Sequence, residues 1–255
     1  MIVREIYNFI DEIAPFNTQM DFDNAGLLVG GMDEKVNKIG VVLDITPDAV
    51  EYAKNEGIDL IVAHHPVIFA PLKSLKSHTV PFLLAKNNIN AICAHTNLDC
   101  AKGGVNDALC DALCLEKIGD FYDSEFPNLP PIGRIGALPH SMTSCEFAKY
   151  VKEKLNSDGV EFVEGKNDIK NVAVCGGSGG SMLFDVIKKG IDAYVTGEAK
   201  HHELIDAKNE GITLVVAGHF ETENVIVKNF AEKLEKKFPE ICVEIIPQNS
   251  PVKRV

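Results

Sequence analysis

AKNEGIDLIVAHH (residues 53–65) and AKNEGITLVVAGH (residues 207–219) are two versions of one element within a single chain. Each opens as the charged end of a helix, stops at a glycine, enters a β-branched run and closes on a histidine at the same offset, His65 and His219. Glycine suits the left-handed turn that ends a helix. A short apolar run behind such a stop reads as a buried strand. The repeat predicts helix–Gly–strand–His twice, hence a duplicated α/β unit. KKGIDAYVTGEAKHH (residues 188–202) is a weaker third version.

The flanking sequence keeps the same rhythm. NKIGVVLD (37–44), INAICA (89–94), IKNVAVC (169–175), IDAYVTG (191–197) and ICVEIIP (241–247) read as strands. Helical patterns separate them: PDAVEYAKNE (47–56) behind the Thr46 cap, VPFLLAKNN (80–88), GVNDALCDAL (104–113), EFAKYVKEKL (146–155), SMLFDVIKKG (181–190), HHELIDAKNEG (201–211) and TENVIVKNFAEKLEKKF (222–238). This is βαβ grammar, which predicts mainly parallel or mixed sheets covered by helices. FYDSEFPNLPPIGRIG (121–136) breaks the rhythm with prolines and is expected to be a linker to a second unit.

Composition narrows the function. A chain of 255 residues is long enough for two domains with real cores. Its formal net charge of -12 disfavours bulk attraction to nucleic acid. No apolar run approaches the roughly 18–20 residues of a membrane span. The N-terminus MIVREIYNFIDEI is amphipathic and reads as a helix, not a signal peptide. Seven cysteines, an odd number without a CxxC pair, are expected to be buried reduced thiols of a cytoplasmic protein.

Three strand ends carry metal-type ligands. AHHPVIF offers His64 and His65. Neighbours in an extended segment point to opposite sides, so the pair is expected to serve two ions, or one ion with the second ring in a supporting role. Pro66 keeps His65 extended. AHTNLDCAKGG offers His95, Asn97 and Asp99. His95 reads equally as a ligand, a base or an orienting partner, and Asp99 as a carboxylate ligand or a turn residue. AGHFETENV offers His219 and Glu223, one helical turn apart on one face if a helix begins near Phe220, with Glu221 facing away. Imidazoles with carboxylates, and no cysteine pair, suit two borderline-to-hard divalent ions in a catalytic rather than a structural site. Glu198, His201 and His202 follow a further strand and offer an acid or base. CGGSGGS (175–181) reads either as a Gly loop presenting backbone N–H groups to an anion or as a tight turn.

FDNAGLLVG, AHHPVIF, AHTNLD, CGGSGG, GEAKHH and GHFETE, in that order from about Asp21 to Glu223, resemble the Nif-three-like family, also known as GTP cyclohydrolase I type 2 homologues. The resemblance implies two interleaved, duplicated three-layer α/β/α units with mixed sheets. It implies a metal-binding domain of residues 1–122 plus 212–255, and an inserted second domain of residues 123–211. It implies two divalent ions, of zinc, iron, manganese or nickel, on His64, His65, Asp99, His219 and Glu223, with Glu223 bridging. It also implies a homohexameric ring. The leading expectation is a metal-dependent hydrolase acting on a small molecule, either a nucleotide (GTP ring opening) or a phosphoester, with His95 and His202 moving protons. The alternative is a non-catalytic metal-binding ring with an interaction or regulatory role. A nucleic-acid-binding ring requires lysines such as Lys73, Lys76 and Lys102 to line a pore against the net charge.

Overall fold

A computed structural model describes residues 1–254. Along the chain lie α1 (Val3–Ile13), β1 (Gly26–Val29), β2 (Lys38–Val42), α2 (Pro47–Glu56), β3 (Leu60–Ala63), α3 (Val80–Lys86), β4 (Asn90–Cys93) and α4 (Thr96–Cys100). There follow α5 (Val105–Ala112), β5 (Glu116–Phe121), β6 (Gly133–Met142), α6 (Ser144–Lys154), β7 (Glu161–Val163), β8 (Ile169–Cys175), α7 (Leu183–Lys188), β9 (Ala193–Thr196), α8 (His201–Glu210), β10 (Thr213–Val216) and α9 (His219–Glu223). The chain closes with α10 (Val225–Lys237) and β11 (Cys242–Ile245). Among the described residues, no helix is long and apolar enough to cross a membrane.

The chain divides into two interleaved units. Unit 1 is Met1–Lys102 with Val227–Asn249; unit 2 is Gly103–Ile226 with the tail that begins at Ser250. Unit 1 holds a five-stranded sheet ordered β1-β4-β3-β2-β11, parallel except for β1. Every residue of β3 and β4 is buried, as befits strands covered on both faces. Val50 and Ala53 of α2, Ile61 and Ala63 of β3, Leu84 of α3 and Ala91 of β4 share one core. Unit 2 holds a six-stranded sheet ordered β5-β6-β8-β9-β10-β7, in which β8, β9 and β10 pair parallel and the remaining neighbours pair antiparallel. Both sheets are mixed, and each unit carries one copy of the AKNEGI element.

The boundaries differ from those expected at residues 122 and 211. Leu109, Cys110, Leu113 and Leu115 pack in one core with Phe147, Val172 and Val195, so α5 and the approach to β5 belong to unit 2. β10 is hydrogen-bonded to β9 and β7, so the second repeat, with His219 and Glu223, also belongs to unit 2 instead of completing the first domain. The proline-rich stretch is likewise no linker. It joins β5 to β6, which pair antiparallel inside one sheet. The buried Arg134 secures its end, donating from Nη1 to the carbonyls of Pro131 (3.0 Å) and Ile132 (3.1 Å) and from Nε to Asp107 (3.0 Å). The thiols divide too: Cys93, Cys100, Cys110 and Cys175 are buried, whereas Cys114, Cys145 and Cys242 are exposed.

The repeat's glycines end their helices in the same way. Gly57 and Gly211 have φ of 68° and 81°, and their N–H groups return to Ala53 and Ala207. A Cβ at Gly57 would meet nothing within 4 Å, and the nearest atoms to one at Gly211 belong to the flexible Lys166 side chain. The cost of alanine is therefore conformational, about 1–2 kcal/mol at either position. Urea unfolding of Gly57→Ala and Gly211→Ala should show lower midpoints with an unchanged slope; wild-type midpoints would contradict these left-handed stops.

Candidate metal centre

In unit 1, three histidines converge beyond the strand ends. The regular ladder of β3 stops at Ala63 and the chain bends through His64 and His65. Their rings therefore do not part as neighbours on a strand would. The ring centroids of His64 and His65 lie 4.9 Å apart, and His95 stands 5.2 Å and 5.6 Å from them. One ring nitrogen from each of the three lies within 4.8 Å of the others. Asp99, on α4, adds a carboxylate oxygen 3.6 Å from His64 Nε2.

Each ring is held through Nδ1. His64 Nδ1 lies 2.9 Å from the Ala94 carbonyl, which can only accept, so that nitrogen carries the proton. His65 Nδ1 lies 2.7 Å from Asp44 Oδ1, and His95 Nδ1 lies 2.7 Å from Asp23 Oδ1. A hydrogen bond at one ring nitrogen fixes the tautomer and makes the other the ligating or proton-accepting atom. In all three, that atom is Nε2.

Unit 2 repeats the device. α9 puts His219 and Glu223 on one face, as the spacing predicts, with Nε2 3.0 Å from Glu223 Oε2. His219 Nδ1 lies 3.0 Å from Glu198 Oε1. The Ser178 hydroxyl, 2.6 Å from Glu198 Oε2, draws that carboxyl's pKa below its ordinary value; burial opposes the shift and His219 reinforces it. The duplication thus reaches beyond the histidine. Asp44 stands two residues past the end of β2, the parallel neighbour of β3. Glu198 stands two residues past the end of β9, the parallel neighbour of β10. Glu221 faces elsewhere, 3.4 Å from Arg254.

The glycine loop after β8 has a different task from gripping an anion. The N–H groups of its four glycines are already used: Gly176 donates to Asn106, Gly177 to Thr222, Gly179 to Thr196 and Gly180 to the Glu198 carbonyl. Thr222 thus braces this loop, accepting from the Gly177 N–H and donating to the Gly218 carbonyl. A Cβ on Gly177, whose φ is 60°, would lie 2.1 Å from Glu223 Oε1 and 3.3 Å from His219 Nε2. The loop is glycine so that backbone can pass directly against this pair.

The donors suit a divalent ion. Ligands about 2.0–2.2 Å from a tetrahedral ion are about 3.3–3.6 Å from each other, and the two imidazole–carboxylate separations, 3.0 Å and 3.6 Å, lie close to that range. Cys93 adds no thiolate: burial pushes its thiol well up, and Sγ donates to the His64 carbonyl. His202 stands apart in character, on the first turn of α8, with its side chain 68% exposed and its ring 3.9 Å from Glu203. Asp23 and Asp44 were not singled out as site residues in the sequence. The available signal was a carboxylate just past a strand end in NKIGVVLD and one inside the FDNAG motif.

The family model described as Duf34/NIF3 (NGG1p interacting factor 3) matches residues 1–251. A Clostridium perfringens protein named GTP cyclohydrolase 1 type 2 homolog is 34% identical over 242 residues, covering 93% of this chain and 92% of that one. Among solved structures, a Staphylococcus aureus protein is 29% identical with a TM-score of 0.89, covering 100% of this chain and 99% of that one. A Bacillus cereus protein related to NIF3 is 25% identical, with the same TM-score and coverage.

Burial pushes the Asp23 carboxyl upward, but hydrogen bonds from His95 and Thr96, with the His95 charge, outweigh it and lower the pKa from 3.8 to about 2. The unfolded chain therefore takes up this proton first as pH falls. The stability Asp23 contributes is complete above about pH 4 and is lost as pH falls through about 2. Circular dichroism of urea unfolding on chelator-treated protein should show a shallower acid loss for Asp23→Asn than for wild type between pH 4 and 2; equal slopes would contradict this pairing.

Proposed function

This chain belongs to the Duf34/NIF3 family, and from that premise we propose that it is a metal-dependent hydrolase. In this reading His64, His65, Asp99, His219 and Glu223 would be the residues that hold two divalent ions. The observation that carries the proposal is the commitment of every ring's Nδ1 to an oxygen acceptor, at His64, His65 and His219 alike. Such bonds raise ligand basicity and hold ring orientation, and in metal sites they accompany ligating imidazoles. Nitrogen and oxygen donors without thiolate fit zinc, iron, manganese or nickel.

Ions in this set would polarise a substrate and acidify water near neutral pH. The remaining work belongs to the chain. His95, braced by Asp23, offers Nε2 as a proton acceptor or donor beside His64 and His65. Its bracing favours it over the exposed His202 as the first proton carrier, and leaves His202 a second carrier at the start of α8. Relatives named GTP cyclohydrolase 1 type 2 homolog point to a nucleotide as substrate, with a phosphoester as the companion class. The glycine loop, its four glycine N–H groups spent on protein acceptors, is not assigned the phosphates. The same family reading includes a hexameric ring, which sedimentation velocity measures directly.

Elemental analysis of protein purified without an affinity tag should find about two ions per chain, falling sharply in Glu223→Gln. Hydrolysis of GTP or a phosphoester by the loaded protein should fall at least about a hundredfold in His95→Gln while metal content holds. Wild type that stays empty after addition of zinc, manganese and iron would sink the metal reading. A loaded protein inert towards both substrate classes would sink the hydrolase reading and leave the binding role.

A further inference from the structure

Unit 1 presents two half-exposed phenyl rings beside the histidine cluster. Phe22 and Phe69 are 53% and 52% exposed, unusual for phenyl rings. They are also close: their centroids lie 6.3 Å apart, and Phe69 lies 6.3 Å from the His95 ring at 81°. Both are anchored through their neighbours. Asp23, next to Phe22, binds His95 and Thr96. Asn24 donates from Nδ2 to the Ile68 carbonyl (2.6 Å), beside Phe69, and so ties the two loops together. Two half-exposed rings are thus fixed at one edge of the histidine cluster by the same FDN segment that braces His95.

We propose that Phe22 and Phe69 form a stacking platform for a planar heteroaromatic ring, the base of a nucleoside or nucleotide substrate, holding it beside His95. Phenyl faces stack on bases of any identity. The platform rests on the hydrolase reading above and deepens it by naming which part of the substrate is gripped, and by what. The loop that carries Phe69 adds charge of the right sign. Residues 66–79 contain Lys73 and Lys76 and no acidic residue, in a chain of net charge -12. Lys73 and Lys76 are exposed and would favour a ring that bears phosphate. A second copy of the chain is a poorer occupant. Even with the exposed Leu72 and Leu75 of the same loop, the apolar side chains here offer on the order of 400 Å², below the roughly 800 Å² per partner of a stable interface.

The chain has no tryptophan, so Phe69→Trp introduces a single reporter on the platform. Guanosine and guanosine monophosphate should quench its emission saturably, and ribose 5-phosphate, which lacks the ring, should not. Adding Phe22→Ala to this variant should weaken both ligands by about tenfold. By calorimetry, Phe22→Ala/Phe69→Ala in the otherwise native chain should bind guanosine monophosphate at least about tenfold more weakly, with wild-type metal content. Equal quenching by ribose 5-phosphate, or wild-type calorimetry in the double variant, would overturn the platform. So would loss of metal from the double variant, which would make the rings structural. Dissociation of the wild-type assembly by the double variant in sedimentation velocity would reassign them to a second copy. Metal content separates this proposal from the one it rests on: ring binding by a chain that never takes metal keeps the platform and removes the hydrolase, and metal without ring binding does the reverse.

Discussion

An imidazole serves as a directed ligand or base only when its other nitrogen is spoken for. In this protein that constraint is met at the four clustered histidines by an Nδ1 hydrogen bond to oxygen: Ala94 for His64, Asp44 for His65, Asp23 for His95 and Glu198 for His219. The bond sets the tautomer, stops the ring from turning and aims Nε2 at the neighbouring donors. Without it, four histidines at strand ends would be polar loop residues with either nitrogen outward. The surrounding structure can be understood as what holds those oxygens in place.

Parallel strands are an economical way to do this. When two neighbours run the same way, both end at one edge, and residues just past their ends meet with little extra chain. β2 delivers Asp44 to His65 from β3, and β9 delivers Glu198 to His219 from β10. The ends are well fixed because the strands behind them are buried in separate cores. Gly177 shows the tolerance involved: one methyl group there would lie 2.1 Å from a Glu223 oxygen.

Much of the architecture is local and was readable as such. Thr46 and Pro47 start α2, Gly57 stops it, and LIVA can be little else but a buried strand. The His219–Glu223 pair follows from helical spacing alone. Reading failed where one segment's role depended on a distant one. A proline-rich stretch between two strands looks the same whether it links domains or closes an antiparallel pair, and only the pairing of β5 with β6 decides. The unit boundaries moved for the same reason, since α5 and β10 take their membership from the core they enter. His64 and His65 converge because the ladder stops at Ala63, a boundary that periodicity leaves loose by a residue or two.

By itself, the sequence determined the α/β rhythm, the duplication and which residue types cluster at strand ends, because propensity, capping and periodicity act over a few residues. Only the tertiary structure decided which oxygen holds each imidazole, because the partners lie 21, 30, 72 and 21 positions away from His65, His64, His95 and His219. It alone turned the glycine loop from an anion cradle into a close-packed wall, since its four glycine N–H groups are consumed by acceptors from other segments. Hydrogen bonds at that range are selected by the whole sheet order, which no local pattern encodes.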